Sequence, residues 1–301
     1  MTFDTAKITQ VILDCDAMPM AKELASPLVD AYLEQFDSFP DSQCETVYVE
    51  FPWQVWLDKN TVIVGVMDRI FRDERGLIGH EHKTKGEPRK KKDGTPWADN
   101  DELTWLSEIS NGIQTGIYAL ALRNAFSETR PRILMRACIK AYRPEFWPTK
   151  YNLGVFEYSD EYLDSIANAL LSKAAQIRAA RKSGLVPWQL PGLHCTNKYR
   201  RVCEFAPKCY ERQSPIGAPN YVFDPSDPAN KALEGVDLTN PDLAILSSSQ
   251  YQTASQCMEK YRIIAGGYYP KDKTIELDTG TVYHAALAEI YRQHRGEKTN
   301  A

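Results

Sequence analysis

The chain has 301 residues and a formal net charge of −4, and 43% of its residues are hydrophobic. This length and hydrophobic content are enough for one large domain or two small ones with a buried core. The negative net charge argues against a protein that coats nucleic acid over its whole surface, but it does not exclude one with a local basic track. Apolar runs fall short of the roughly 20 residues that span a bilayer, and the N-terminus lacks a signal pattern. We therefore expect a soluble, cytoplasmic protein with no membrane partner.

The first segments predict a helix and then a strand. Residues 1–40 read as a strand or loop entry followed by a helix from about Met18 to Phe36. Residues at helical spacing suggest that one face of this helix packs in the core. They are Met20, Leu24, Leu28, Ala31 and Tyr32. Residues 44–58 alternate between apolar and polar types, which predicts a strand beside the hairpin that follows.

That hairpin is predicted by two apolar runs, Val62 to Ile70 and Leu77 to Lys83, on either side of the turn-forming sequence Asp-Glu-Arg-Gly at 73–76. If Glu74 and Arg75 are the central turn residues, Asp68 lies directly across from Glu81.

Side chains alternate faces along a strand, so Lys83 shares a face with Glu81, while His82 points the other way. Two adjacent carboxylates repel each other unless a cation lies between them. The pattern of Asp68 and Glu81 therefore favours a divalent metal site.

Beyond the hairpin, a run of basic residues at 89–92 follows Lys83 and Lys85. This run is either a solvated surface segment or a segment that contacts the phosphates of nucleic acid. Residues 102–123 have helical periodicity, and their Gln114 and Tyr118 are four apart, on one helix face. Arg132 to Tyr142 predicts a strand and Asp160 to Lys182 a long amphipathic helix.

The seven cysteines, an odd number at uneven spacings, fit reduced thiols or metal ligands better than a disulfide framework. Cys195, Cys203 and Cys209 fall within fifteen residues of a loop-like segment. A metal or cluster site is the favoured reading, and it needs a fourth ligand. The spacing lacks the paired short gaps of a zinc ribbon, although zinc stays open.

The C-terminal part begins with a segment rich in proline and glycine, residues 210–245, that predicts an exposed linker. Ser247 to Ile264 predicts a serine-capped helix with Cys257 and Tyr261 on one face. Leu277 to Arg292 predicts another helix, with His284 in its first turns. By itself, a single helical histidine is more often structural than a ligand.

The order of these motifs resembles the PD-(D/E)XK nucleases of RecB type, similar to CRISPR-adaptation nucleases. The resemblance lies in Gly65 to Ile70, in Glu81-His82-Lys83 and in Gln114-x3-Tyr118. The cysteine triplet at 195, 203 and 209 also resembles that of the family, though its first gap is longer than is common there. Two motifs normally found at the family's N-terminus, Ser247 to Tyr261 and Gly280 to His284, come last here. The chain therefore resembles a circularly permuted member.

The resemblance implies a restriction-endonuclease-like α/β fold with a mixed central sheet flanked by helices. It implies that Asp68, Glu81, the His82 carbonyl and His284 bind Mg²⁺ or Mn²⁺. It also implies that Lys83 is a catalytic residue and that Gln114 and Tyr118 have a supporting role. The resemblance further implies a [4Fe-4S] cluster or, alternatively, a Zn²⁺ ion. The cluster would be held by Cys195, Cys203, Cys209 and Cys257.

The implied organisation is a nuclease core at 1–209, a linker at 210–245 and a segment at 246–301 that completes the same domain. Alternatively, that last segment begins a truncated second copy of the domain, or it completes the site of a neighbouring molecule. The implied function is metal-dependent DNA cleavage, as an exonuclease in recombination, repair or phage replication, in a bacterial or phage-infected cell. Recombination or replication proteins are possible partners. A catalytically silent nucleic-acid-binding module and a zinc-stapled structural protein are the rival readings.

Overall fold

The structure is a computed structural model that describes residues 3–86, 112–128, 130–140, 150–183, 221–223, 233, 235–237, 240, 242–265, 268–270 and 275–299. The helices are α1 Thr5–Asp14, α2 Pro19–Gln35, α3 Ile113–Phe126, α4 Asp160–Ser183, α5 Ser248–Gln256, α6 Met258–Ala265 and α7 Ile275–Thr299. Two 3₁₀ turns, Phe36–Ser38 and Pro40–Gln43, follow α2. The strands are β1 Glu45–Asp58, β2 Thr61–Asp73, β3 Gly76–Gly86, β4 Arg132–Lys140, β5 Lys150–Glu157, β6 Tyr221–Phe223, β7 Ala244–Leu246 and β8 Tyr268–Pro270.

The central sheet has the strand order β1-β2-β3-β4-β5, and β7 also pairs with β2. β3 is antiparallel to β2 and parallel to β4, and β5 is antiparallel to β4. β7 runs parallel to β2, while β6 and β8 form a separate pair. The fold is thus mixed α/β with a mostly antiparallel central sheet flanked by helices, which confirms the predicted fold class.

The β2–β3 hairpin has the predicted register. Asp73 pairs with Gly76, and Arg69 pairs with His80. Gly76 has a φ of 121°, a conformation that residues with a Cβ rarely adopt, so glycine is needed where the chain enters β3. One position beyond the Arg69–His80 pair, Asp68 and Glu81 are the next residues on their strands.

The described chain divides into two compact units, and the first comprises Met1–Phe51, Met67–Leu163 and Thr274–Ala301. One part of its core lies between α1, α2 and α7, with buried residues that include Ile8, Tyr32 and Tyr283. Another part lies where α3 packs against β3 and β4. α3 is buried on all sides from Thr115 to Leu122, which explains its nearly continuous apolar sequence.

The second unit comprises Pro52–Val66 and Asp164–Lys273. Its α4 ends in basic residues that bind backbone carbonyls: Arg178 donates to the Asn60 carbonyl at 3.0 Å, and Arg181 to that of Leu243 at 2.8 Å. These bonds join α4 to the residues that directly precede β2 and β7. The predicted serine cap is confirmed, because Ser247 and Gln250 form a reciprocal capping box at the start of α5.

Two predictions for the N-terminal segment were wrong. Residues 5–14 form α1 rather than a strand or loop, with Asp4 accepting a cap hydrogen bond from the Lys7 amide. In α2, Met20 and Leu24 are 60% and 45% exposed, so they do not belong to the core face. The buried face contains small residues instead, at Ala21 and Ala25, which let α2 pack closely.

Two strands of the sheet, β5 and β7, were not predicted. β5 lies in a segment for which no element was predicted, and β7 begins within the predicted linker, at Ala244. β7 has only three residues, and so short a strand leaves little periodicity to detect. None of the described helices combines the length and apolar character that a membrane crossing requires.

Candidate active site

Asp68 and Glu81 form the centre of the site, on neighbouring strands of the hairpin. The Asp68 Oδ2 atom accepts a hydrogen bond from the His82 amide at 2.8 Å, so its carboxylate reaches across to β3. The Glu81 side chain is only 4% exposed, whereas that of Asp68 is 24% exposed. One carboxylate is therefore buried and the other faces the solvent edge of the same site.

The two carboxyl groups differ strongly in acidity. Burial raises the pKa of Glu81 to about 8, and the nearby Asp68 charge adds to this effect. Burial also acts to raise the pKa of Asp68, but the interactions with His284 outweigh it and lower the value to about 2. At neutral pH and without a metal, Asp68 is ionised while Glu81 holds a proton.

Lys83 and Glu81 meet on one face of β3, as the alternation predicted. The Lys83 Nζ atom lies 3.5 Å from Glu81 Oε2. An ammonium group at this position stabilises the ionised form of Glu81 and partly opposes the effect of burial on its pKa.

Gln114 and Tyr118 approach the site from α3. The Gln114 Nε2 atom donates to the Tyr118 hydroxyl at 3.0 Å, which confirms that the pair shares one helix face. The Tyr118 hydroxyl in turn bonds the Glu81 carboxyl group. Burial and the adjacent Glu81 raise the pKa of Tyr118 well above its usual value, so this hydroxyl stays protonated and can donate a hydrogen bond to the Glu81 carboxyl group.

His284 reaches the same site from α7, over 200 residues later in the chain. Its Nδ1 atom lies 3.3 Å from Asp68 Oδ1. Burial acts to lower the pKa of His284, but the Asp68 charge outweighs this and raises it. The Asp68 carboxylate therefore stabilises the protonated form of the His284 ring.

The His82 side chain points away from the carboxylates, as predicted. Its Nε2 atom bonds the Tyr291 hydroxyl of α7, and its ring lies edge-on to that of Tyr32. Burial, together with the neighbouring His80 and Arg136, lowers the pKa of His82 well below its usual value, so the ring is neutral. The backbone of His82 is the part that lies beside Asp68.

The donor atoms at this centre fit a hard divalent cation. Glu81 Oε1 is buried and has no hydrogen-bond partner within the described part of the chain, which is costly unless a cation or water satisfies it. Among described residues, no three His, Cys, Asp or Glu side chains are grouped to hold a metal by themselves. Asp68 and Glu81 supply carboxylate oxygens, the donor type that such an ion prefers.

The predicted cluster residues are mostly outside the described ranges. Cys195, Cys203 and Cys209 lie there, as does the basic run at 89–92. No iron–sulfur or zinc site is found in the part of the chain that is described. Cys257 is described, at the break between α5 and α6, and its sulfur accepts a hydrogen bond from the Lys260 amide at 3.4 Å.

A second group of polar side chains lies on the opposite face of the hairpin and was not predicted. We call it the buried arginine cluster; it comprises Asp41, Arg69, His80 and Arg136, all at most 2% exposed. Asp41 accepts from Arg69 at 2.7 Å and also pairs with Arg136. The alternation of side chains along the strands could have indicated part of this cluster. Arg69 follows Asp68 and His80 precedes Glu81, so both side chains point to the face opposite the two carboxylates.

Comparison with known proteins is consistent with this geometry. The family model for the PD-(D/E)XK nuclease superfamily matches residues 10–210, which include the hairpin, Gln114 and Tyr118. Searches of curated proteins and of solved structures give no match. The matched region covers more than half of the chain, which therefore belongs to the PD-(D/E)XK nuclease superfamily.

Proposed function

We propose that the protein is a metal-dependent DNA nuclease that hydrolyses phosphodiester bonds, acting as an exonuclease in recombination, repair or phage replication. The observation that carries this proposal is the group formed by Asp68, Glu81 and Lys83 on the β2–β3 hairpin. Three groups lie together there: the buried Glu81 carboxyl group, one oxygen of which has no hydrogen-bond partner among the described residues, the partly exposed Asp68 carboxylate, and the Lys83 ammonium 3.5 Å from Glu81. The superfamily to which the chain belongs supports the same chemistry.

The residues divide into metal-binding groups and groups that act on the nucleophile or the DNA. Asp68, Glu81 and the His82 carbonyl hold Mg²⁺ or Mn²⁺ with oxygen donors, and His284 adds a nitrogen that favours Mn²⁺. A bound ion of this kind polarises the scissile phosphate and lowers the pKa of the attacking water. His284 binds the ion through a ring nitrogen in its neutral form, which the Asp68 charge disfavours until a cation is bound.

Lys83 orients the attacking water or, as the neutral amine, accepts its proton, and the resulting ammonium offsets the charge that develops on the phosphate. Its position beside Glu81 supports this role, because the ammonium then lies next to the ligands rather than free in solvent. Gln114 and Tyr118 form a hydrogen-bonded series that ends on Glu81 and so fixes the orientation of that carboxylate.

The experiment that tests this function is cleavage of end-labelled linear DNA, duplex and single-stranded, with Mg²⁺, with Mn²⁺ and with EDTA. We expect cleavage with either ion and none with EDTA. Closed circular DNA as a parallel substrate separates exonuclease from endonuclease action, since an exonuclease needs an end. DNA that is retained by the protein but not cut with either ion would favour the silent binding module.

Metal binding should depend on pH because Glu81 must lose a proton to become a ligand. Its pKa of about 8 means that the folded protein keeps this proton through neutral pH, whereas an ordinary glutamate has lost it. We expect the apparent Mn²⁺ affinity to rise at least about tenfold per pH unit well below pH 8, because both Glu81 and His284 must be deprotonated, and to level off above it. Isothermal titration between pH 6 and 9 measures the trend, and a flat profile would contradict it.

The proposal includes the circular permutation, with a nuclease core at 1–209, a linker at 210–245 and a completing segment at 246–301. Support comes from the C-terminal helix α7, because its His284 lies beside Asp68 within the same unit. The superfamily match ends at residue 210, so α7 lies outside it. A histidine supplied by the last helix is what a displaced N-terminal motif would provide.

The proposal also includes a structural [4Fe-4S] cluster held by Cys195, Cys203, Cys209 and Cys257. The amide-to-sulfur hydrogen bond at Cys257 supports it, since hydrogen bonds to sulfur stabilise and tune such clusters. Protein purified without oxygen is expected to be brown, and Cys257→Ala should lose most of the visible absorbance. Cys15→Ala is the matched control and should keep it. Colourless protein that contains zinc would mean that these cysteines bind zinc and not an iron–sulfur cluster.

A further inference from the structure

A line of hydrogen-bonded side chains, which we call the hydroxyl chain, connects the buried arginine cluster to the candidate active site. It comprises Arg136, Tyr32, Tyr291 and His82. Arg136 Nη1 donates to the Tyr32 hydroxyl at 2.7 Å, the two tyrosine hydroxyls are 2.7 Å apart, and the Tyr291 hydroxyl bonds His82 Nε2. All four residues are at most 1% exposed, so water does not readily replace a lost partner.

The hydroxyl chain has a preferred direction. A guanidinium group has only donors, so the Tyr32 oxygen accepts from Arg136. Both hydroxyl protons are used within the chain only if Tyr32 donates to Tyr291 and Tyr291 donates to His82 Nε2. His82 then accepts as a neutral ring, which agrees with its lowered pKa. The Tyr291 hydroxyl is thus the link between the other tyrosine and His82.

Tyr291 also belongs to the helix that carries His284. The two residues are seven apart, which is close to two helical turns, so they lie on one face of α7. His284 contacts Asp68 on β2, while Tyr291 bonds His82 on β3. The His82 amide in turn donates to Asp68. Both contacts attach α7 to the hairpin, and one of them is at the proposed metal ligands.

We propose that Tyr291 is a positioning residue: its hydroxyl fixes α7 along the hairpin, so that His284 and the His82 backbone keep their places beside Asp68. The ring assists, because it stacks on the Arg69 guanidinium with 4.6 Å between the ring centroid and the guanidinium carbon. This inference rests on the proposed metal site, although not on the cleavage of DNA.

The test is Mn²⁺ binding by the full chain, measured by isothermal titration for wild type, Tyr291→Phe and Ile290→Val. Tyr291→Phe keeps the ring and removes only the hydroxyl, and we expect it to weaken Mn²⁺ binding about tenfold. Ile290 is the adjacent buried residue of the same helix, and its truncation to valine lowers stability without touching the hydroxyl chain. We expect Ile290→Val to bind Mn²⁺ like wild type.

Equal Mn²⁺ affinity in all three proteins overturns the positioning role, as does a wild type that binds no Mn²⁺. If Tyr291→Phe does not fold, Tyr32→Phe interrupts the same chain from α2 and should weaken Mn²⁺ binding; unchanged affinity there also overturns the role. DNA cleavage separates this result from the proposed function. Weaker Mn²⁺ binding in Tyr291→Phe, with a wild type that cuts no DNA, would support the positioning role and refute the nuclease.

Discussion

Lys83→Ala is expected to lower metal-dependent DNA cleavage by about 10²- to 10⁴-fold, the usual contribution of a group that transfers or orders a proton. The substitution removes the ammonium 3.5 Å from Glu81 and leaves both carboxylates in place. Initial rates on linear DNA at saturating Mn²⁺ give the comparison. Because Lys83 is partly exposed, the circular dichroism spectrum and the melting temperature should stay close to those of wild type.

The matched control for this prediction is Lys7→Ala. Lys7 is an exposed lysine of the same unit and pairs with Glu289 at 2.8 Å, so its loss removes one positive charge and one ion pair. Cleavage by Lys7→Ala should equal that of wild type. If Lys83→Ala also cleaves like wild type, the proposed mechanism is wrong.

The largest expected effect on stability comes from Asp41→Asn. Asp41 pairs with both Arg69 and Arg136, and all three side chains are at most 2% exposed. The amide keeps the shape of the carboxylate but leaves two buried guanidinium groups without its charge. Breaking a buried ion pair on one side costs about 3–5 kcal/mol, and we expect the free energy of unfolding to fall by this amount.

Urea titration followed by circular dichroism measures the change for Asp41→Asn. The control is Glu45→Gln, which removes an exposed pair with Arg72 at 3.5 Å and should change the free energy of unfolding by less than about 1 kcal/mol. A loss below about 1 kcal/mol in Asp41→Asn would mean that the two arginines are neutralised by other groups.

The local part of the site could be predicted from the sequence. Turn chemistry and the two-residue period of strands gave the facing positions of Asp68 and Glu81, the shared face of Lys83 and the opposite direction of His82. Helical spacing gave the pairing of Gln114 with Tyr118. These features depend on neighbours within about twenty residues, where periodicity is informative.

The long-range part could not be derived from periodicity. That His284 reaches Asp68 depends on how α7 packs against α1 and α2, and only the resemblance to a known family suggested it. The buried arginine cluster was missed because arginine is seldom fully buried unless it is paired. Its partner Asp41 comes from a 3₁₀ turn, where no regular pattern identifies a buried side chain.

Errors in the N-terminal helices have a simpler cause. Met20 and Leu24 were assigned to the core because they are large and apolar, yet α2 buries the alanines beside them. Large apolar residues are often exposed on protein surfaces, so size alone does not identify the buried face of a helix.

The first unit is built from three separate segments of the chain, so its candidate site is completed late during synthesis. α1 and α2 leave the ribosome early, but the helix that fills the core between them and supplies His284 is translated more than 200 residues later. Chains fold from the N-terminus as they emerge, and contacts between distant segments form slowly. A nascent chain that has not reached residue 284 therefore lacks the histidine of the proposed metal centre, so the proposed nuclease would be complete only after translation of α7.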